Sequence, residues 1–266
     1  MKIIDFHTHA FPDAIASKGL SALLEGCNNI YKPVTDMTIN GLLRYMDEHA
    51  IDISVIQPVI TKPSQTIGLN KWASEIRSDR VISFGGVHPL SDDYKRDIDF
   101  VVSLGLKGLK FHPEYQNFVL DEPKMLKIYD YALSKGLILL FHAGYDPAFP
   151  PLLKSTPEKF ARLSRELKGG IIVAAHMGGH EQWESVERYL VGTDIYLDTS
   201  MGFEFYSHEF FLKITREHGY KKILFASDSP WSDAAKEIET FYTFPLTDEE
   251  KEGILYSNAR RILSGE

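Results

Sequence analysis

Ile3-Ile4-Asp5-Phe6-His7-Thr8-His9-Ala10-Phe11-Pro12 opens the chain as a short apolar strand that runs into His-x-His. An open doubly wound sheet often carries a glycine-rich phosphate turn after its first strand. Here that turn reads His-Thr-His-Ala-Phe-Pro, without glycine. In an extended chain, residues i and i+2 share a face. His7 and His9 therefore present two imidazoles side by side, about 7 Å apart along the chain, and can converge on one ion. Asp5 has the same parity. It reads either as an acceptor behind the histidines or as an internal strand carboxylate. Imidazole pairs suit zinc, iron, nickel and copper.

Outward from this strand, short apolar runs alternate with longer segments of helical period. The strands read at 2–7, 53–59, 81–87, 106–112, 137–142, 171–176, 195–199 and 223–228. Helices read at 39–49, 69–78, 92–103, 123–135, 157–167, 183–190, 205–218 and 233–242, with two more near 247 and 258–263. Pro123 and Pro157 sit where a first helical turn accepts proline, and Gly105, Gly136 and Gly219 sit where a helix ends. Alternating strand and helix predicts parallel strands with helical crossovers. Eight such units in about 250 residues predict an α/β fold, a (β/α)8 TIM barrel with residues 1–266 as one domain.

Composition narrows the function classes. With 266 residues and 44% apolar side chains the chain can bury a sizeable core. One cysteine, Cys27, rules out an internal disulfide and a cysteine zinc cluster, and fits a reducing, cytoplasmic setting. No run approaches the roughly 18 apolar residues of a membrane span. A net charge of −8 without a basic patch speaks against nucleic acid as a partner. A small-molecule substrate is expected, and homo-oligomerisation stays open.

Barrel active sites lie at the C-terminal strand ends. Seven of the ten histidines fall there: His7, His9, His88, His112, His142, His176 and His180. Asp198 ends the seventh strand and Asp228 the eighth. Any one of these histidines could simply be bonded within the rim. As a set they amount to a built site. His49, His208 and His218 lie on helix segments and read as exposed or partly packed. The stretch 11–37 is long for a connection, and reads as a lid or as structure of its own. Phe11, Tyr31, Phe203, Phe205 and Tyr206 read either as substrate walls or as loop anchors.

His7-x-His9, His142, His176 in a His-Met-Gly-Gly turn, and Asp228 together resemble the metal-dependent amidohydrolase superfamily. The closer resemblance is to its amidohydrolase-2 branch, which includes aminocarboxymuconate-semialdehyde decarboxylase-like and resorcylate decarboxylase-like enzymes and lactonases. Asn258-Ala259-Arg260-Arg261-Ile262-Leu263 resembles that branch's closing helix. The resemblance spans almost the whole chain. It implies His7, His9, His142 and Asp228 as metal ligands, and Asp228 and His176 as catalytic groups. It implies one divalent ion, Zn²⁺ first among the choices, with a second metal if His176 joins. Binuclear relatives bridge their metals through a strand-four lysine or glutamate; here Lys110 lies on that strand. Asp5, Lys110, His112 and His88 are expected to support the ligands or contact substrate.

A site of three imidazoles and one carboxylate keeps an open coordination position, the mark of a catalytic metal. Two reactions share it. The expected one is hydrolysis of an ester, lactone or amide by a metal-activated water, with Asp228 as general base and then acid. The alternative is non-oxidative decarboxylation of an aromatic or muconate-like acid.

Overall fold

The computed structural model describes residues 1–265. Its strands are β1 (Ile4–Thr8), β2 (Ile53–Ile56), β3 (Val81–Ser83), β4 (Gly108–Phe111), β5 (Ile138–Phe141), β6 (Ile172–Ala174), β7 (Tyr196–Asp198) and β8 (Ile223–Leu224). All pair parallel, β1 to β3 in one ladder and β4 to β8 in the next. Backbone bonds join the ladders at both seams. Gly85 N–H donates to Gly108 O at 2.8 Å, and Lys110 N–H to Gly85 O at 3.0 Å. Phe6 N–H donates to Phe225 O at 3.0 Å, and Asp228 N–H to His7 O at 2.8 Å. The expected TIM barrel follows, each strand bordering its sequence neighbours.

Strand side chains divide between two apolar layers. Ile4, Phe6, Val55, Phe84, Ile138, Leu140, Val173 and Leu224 pack together with Ala259, Ile262 and Leu263 of the last helix. Leu109, Phe111, Leu139, Phe141, Ile172 and Ala174 pack against helix residues such as Ile98, Val101, Ile128, Tyr129 and Phe160. Alternate residues thus serve the barrel interior and the helical coat, as a period of two requires. The helices Pro123–Ser134 and Pro157–Glu166 begin on their prolines. Thr247 and Glu250 form a reciprocal cap on the helix Asp248–Glu252.

Two details differ from the sequence reading. The strands are shorter, because the ladder stops before the polar ends; β8 covers only Ile223–Leu224, and Asp228 sits at φ +67°. The helix read at 205–218 spans only His208–Ile214 before a wider π turn, Thr215–Gly219. The long stretch after β1 carries structure of its own, one of its two readings, as the helix Asp13–Gly26. Among the described residues no helix is long and apolar enough to cross a membrane.

One irregularity matters for the site. β1 pairs with β2 as Asp5↔Ser54 and then Thr8↔Ile56, so β1 carries one extra residue between the two pairs. Such a bulge breaks the two-residue parity and re-aims the side chains beyond it. Phe6 stays in the interior apolar layer, while His7 turns to the polar end of the barrel.

Candidate metal centre

His7, His9 and Asp228 meet at the mouth of the β1–β8 seam. One potential ligand atom from each lies within 4.8 Å of the others. They form part of the floor of a cavity of about 590 Å³. Phe11, Leu23, Cys27 and Tyr31, in and around the Asp13–Gly26 helix, supply one wall. Asp228 holds a left-handed backbone, φ +67°, and so does His176, φ +55°. Such backbone costs of order 1–3 kcal/mol at a non-glycine residue, and it clusters at functional sites. Hydrogen bonds over-determine both positions. Asp228 N–H is held by His7 O, and His176 N–H donates to Asp198 Oδ1 at 3.0 Å.

The hydrogen bonds behind the rings fix which nitrogens face inward. His9 Nδ1 lies 3.0 Å from Gln57 O, a carbonyl that can only accept. His9 therefore carries its proton on Nδ1, and its bare Nε2 faces Asp228 Oδ1 at 2.9 Å. Only a cation between them, a proton or a metal ion, makes that contact attractive. His7 Nδ1 lies 3.0 Å from Asp198 Oδ2, while Lys110 Nζ approaches its Nε2 at 2.7 Å. An ammonium donates only, so His7 Nε2 is bare as well. Two lone pairs and a carboxylate oxygen thus share one focus. The His7 and His9 ring planes cross at 65°, so their in-plane lone pairs can converge. This donor set fits a divalent metal, with Lys110 on the lone pair that such an ion would take.

Charge and burial agree with that arrangement. Burial works to raise Asp228, but His7 and His9 beside it hold it well below the usual carboxylate range. Burial pushes His7 and His142 far below the ordinary imidazole value and brings His176 down to about 4. Lys110 is pushed down to about 8 by burial, against the pull of Asp228 and Asp198. Burial thus keeps His7, His142 and His176 toward the neutral imidazole, beside one firmly ionised carboxylate, Asp228.

His142 stands elsewhere. It groups with His112 and Asp146, again with ligand atoms within 4.8 Å. Its ring stacks on His112 at 4.2 Å between centroids and 11° between planes. Lone pairs of parallel rings run side by side and do not meet on one ion. His112 Nε2 instead approaches Asp146 Oδ2 at 3.3 Å, and its Nδ1 lies 3.6 Å from Glu114 Oε2. His142 Nδ1 lies 3.0 Å from His176 Nε2, and its own Nε2 is buried without a protein partner. Gly144 makes this wall possible. Its φ is +92°, and a Cβ there would stand 2.2 Å from His180 N.

The remaining sequence candidates scatter. Asp5 accepts from Ser227 N–H at 2.9 Å and from the Ser227 hydroxyl, with only the weak His7 N–H contact at 3.4 Å. Its carboxylate anchors the segment that carries Asp228 and reaches no imidazole, because the bulge broke the parity that placed it behind His7. Burial raises it to about 7. His88 accepts from Leu90 N–H at 3.1 Å and is not among the described residues lining the cavity. His49 and His208 are exposed, but His218 is buried with Nε2 on Ile195 O at 2.8 Å, correcting its reading as a surface histidine. Phe11 and Tyr31 line the cavity, whereas Phe203 and Tyr206 anchor their loop in the core. The sequence carries no signal for Asp146 and Glu114 as site residues, and for Asp198 and Ser200 only an Asp-Thr-Ser run that closes a strand.

The resemblance read from the strand ends has independent support. No curated protein matches the chain in sequence. Among solved structures, an uncharacterised TIM-barrel protein of Bordetella bronchiseptica is similar at TM-score 0.79 and 17% identity, with 99% of each chain covered. 5-Carboxyvanillate decarboxylase of Sphingomonas paucimobilis gives 0.72 and 16%, with 99% of each covered. A probable 2-pyrone-4,6-dicarboxylic acid hydrolase of Acinetobacter baumannii gives 0.68 and 19%, covering 99% of this chain and 100% of that one. At such identities these likenesses establish the fold. The family model described as Amidohydrolase matches residues 4–264, nearly the full length, and with it the chain belongs to the amidohydrolase family.

Proposed function

We propose that the chain, as one catalytic domain over 1–266, is a metal-dependent hydrolase of an ester, lactone or amide bond in a small molecule. The observation that carries this reading is the bare-nitrogen focus: His7 Nε2 and His9 Nε2 against Asp228 Oδ1, with Lys110 Nζ beside them. His7, His9 and Asp228 would hold one divalent ion, with His142 as the further ligand that the resemblance implies, and Zn²⁺ suits the imidazole-rich set. When bound, the ion supplies Lewis acidity and a water acidic enough to ionise near neutral pH. Asp228, an ionised carboxylate at the cavity floor, is suited to take a proton from an attacking water and return it to the leaving group. Lys110 is freed from His7 when that lone pair is used, and its ammonium can then face a developing oxyanion. His176 lines the same cavity and positions the reacting carbonyl. The apolar wall from the Asp13–Gly26 helix limits water entry. The cytoplasmic setting expected from the single thiol belongs to the same reading.

A second reading is decarboxylation on the same residues. It is favoured by the likeness to 5-carboxyvanillate decarboxylase and by Lys110 and His112 lining one cavity, where they could hold a carboxylate. A panel of esters, lactones, amides and aromatic acids, assayed with Zn²⁺ or Mn²⁺, separates the two. Metal-dependent turnover of the first three supports the hydrolase. Carbon dioxide release from the acids alone sinks it in favour of the lyase.

A further inference from the structure

Beyond the ligand atoms lies a buried hydrogen-bond chain that starts at β7. Asp198 and Ser200 are both fully buried. Asp198 Oδ1 accepts from His176 N–H at 3.0 Å, from Ser200 N–H at 3.1 Å and from the Ser200 hydroxyl. That leaves Oδ2 for His7 Nδ1 at 3.0 Å. The Ser200 hydroxyl has one proton, spent on Asp198, so its oxygen can only accept elsewhere. It lies 2.9 Å from His176 Nδ1, and the Ser200 carbonyl lies 3.3 Å from the same nitrogen. Two acceptors there place the His176 proton on Nδ1 and leave its Nε2 bare. The bare Nε2 accepts from His142 Nδ1 at 3.0 Å, so the His142 proton is on Nδ1 too. His142 Nε2 is then a lone pair, and it is the nitrogen that is buried without a partner.

We propose that Asp198 and Ser200 are positioning residues that set two cavity imidazoles at once, Asp198 directly at His7 and Ser200 through His176 at His142, so that both present a bare Nε2. The inference rests on the metal-centre reading above and adds to it the residues that orient the ligands. One carboxylate serves both arms, so the two imidazoles are held in the same protonation pattern by a single strand end. Outer partners of this kind orient a metal-bound histidine and raise its basicity, and losing one typically costs about 10–100-fold in metal affinity.

The test uses the full-length protein stripped of metal, titrated with Zn²⁺ against a chromophoric chelator, alongside ¹⁵N NMR of the histidine side chains. Asp198→Asn puts a donor toward His7 Nδ1. It should move the His7 proton to Nε2 and lower Zn²⁺ affinity by about 10–100-fold. Ser200→Ala should lower affinity about 10-fold and disturb the His176 and His142 signals, while Ser200→Thr, which keeps the hydroxyl, restores both. Folded variants with affinity within about twofold of wild type and an unchanged nitrogen pattern overturn the inference. If Asp198→Asn does not fold, the Ser200 pair decides alone. Wild-type protein that binds no Zn²⁺ overturns the metal-centre reading instead. The nitrogen pattern of the metal-free protein and its variants then still decides whether Asp198 and Ser200 set the tautomers.

Discussion

Two clusters in this barrel have nearly the same composition and opposite geometry. The floor joins His7, His9 and Asp228; the wall joins His112, His142 and Asp146; both gather their ligand atoms within 4.8 Å. At the floor the ring planes cross at 65°, and the lone pairs face a carboxylate. At the wall the planes lie 11° apart, and the rings stack. Residue type and distance therefore do not separate the two clusters. The direction of their lone pairs does, together with what each ring's other nitrogen touches.

The largest effect that could break this comparison is loss of a floor ligand. His9→Ala should weaken Zn²⁺ binding by more than the roughly 100-fold that losing an outer partner costs, whereas His112→Ala should keep the metal. Elemental analysis of the two purified variants reads this directly, and equal losses would erase the distinction between the clusters. His142→Ala asks to which cluster that ring belongs in the loaded protein. Loss of metal assigns it to the floor, and full occupancy rules it out as a ligand.

Next in size is Asp228→Asn, which should leave the circular dichroism spectrum intact while cutting turnover by about 10²–10⁴. Turnover near wild type would remove the proposed proton shuttle. Smaller again is the thermal response to metal. Zn²⁺ at a hundred times its Kd should add about 2.7 kcal/mol, a rise of several degrees in Tm for wild type and none for His9→Ala. Gly144→Ala strains the turn beside the wall and touches no floor ligand, since its Cβ would strike His180 N. It should cost about 1–3 kcal/mol and lower Tm with little change in Zn²⁺ affinity. The smallest effect belongs to His208, which is exposed and outside both clusters. His208→Ala should stay within about 0.5 kcal/mol of wild type in denaturant unfolding.

Much of this was legible in one dimension. Short apolar runs locate all eight strands, and Pro123, Pro157 and the Thr247–Glu250 pair mark helix starts that the structure keeps. The strand-end histidines were legible as a set because a barrel gathers all such ends on one face. Asp5 takes the second of its two readings, an internal strand carboxylate on Ser227, and what decides between them is a bulge of one residue that a count by twos does not show. Serine after a strand is ordinary in sequence, and only its place between two imidazoles gives Ser200 a task.

The amino-acid sequence by itself determined the alternation of strand and helix, the barrel that follows, and which polar residues would arrive at its open end. Those properties depend on local periodicity and on the short reach of each connection. Tertiary structure alone decided which nitrogens are bare, which rings cross or stack, and which carboxylate serves as partner. His7 meets Asp198 across 191 residues, and His9 meets Asp228 across 219. A tautomer is chosen by the atom on a ring's far side, and closing the barrel is what brings that atom into place.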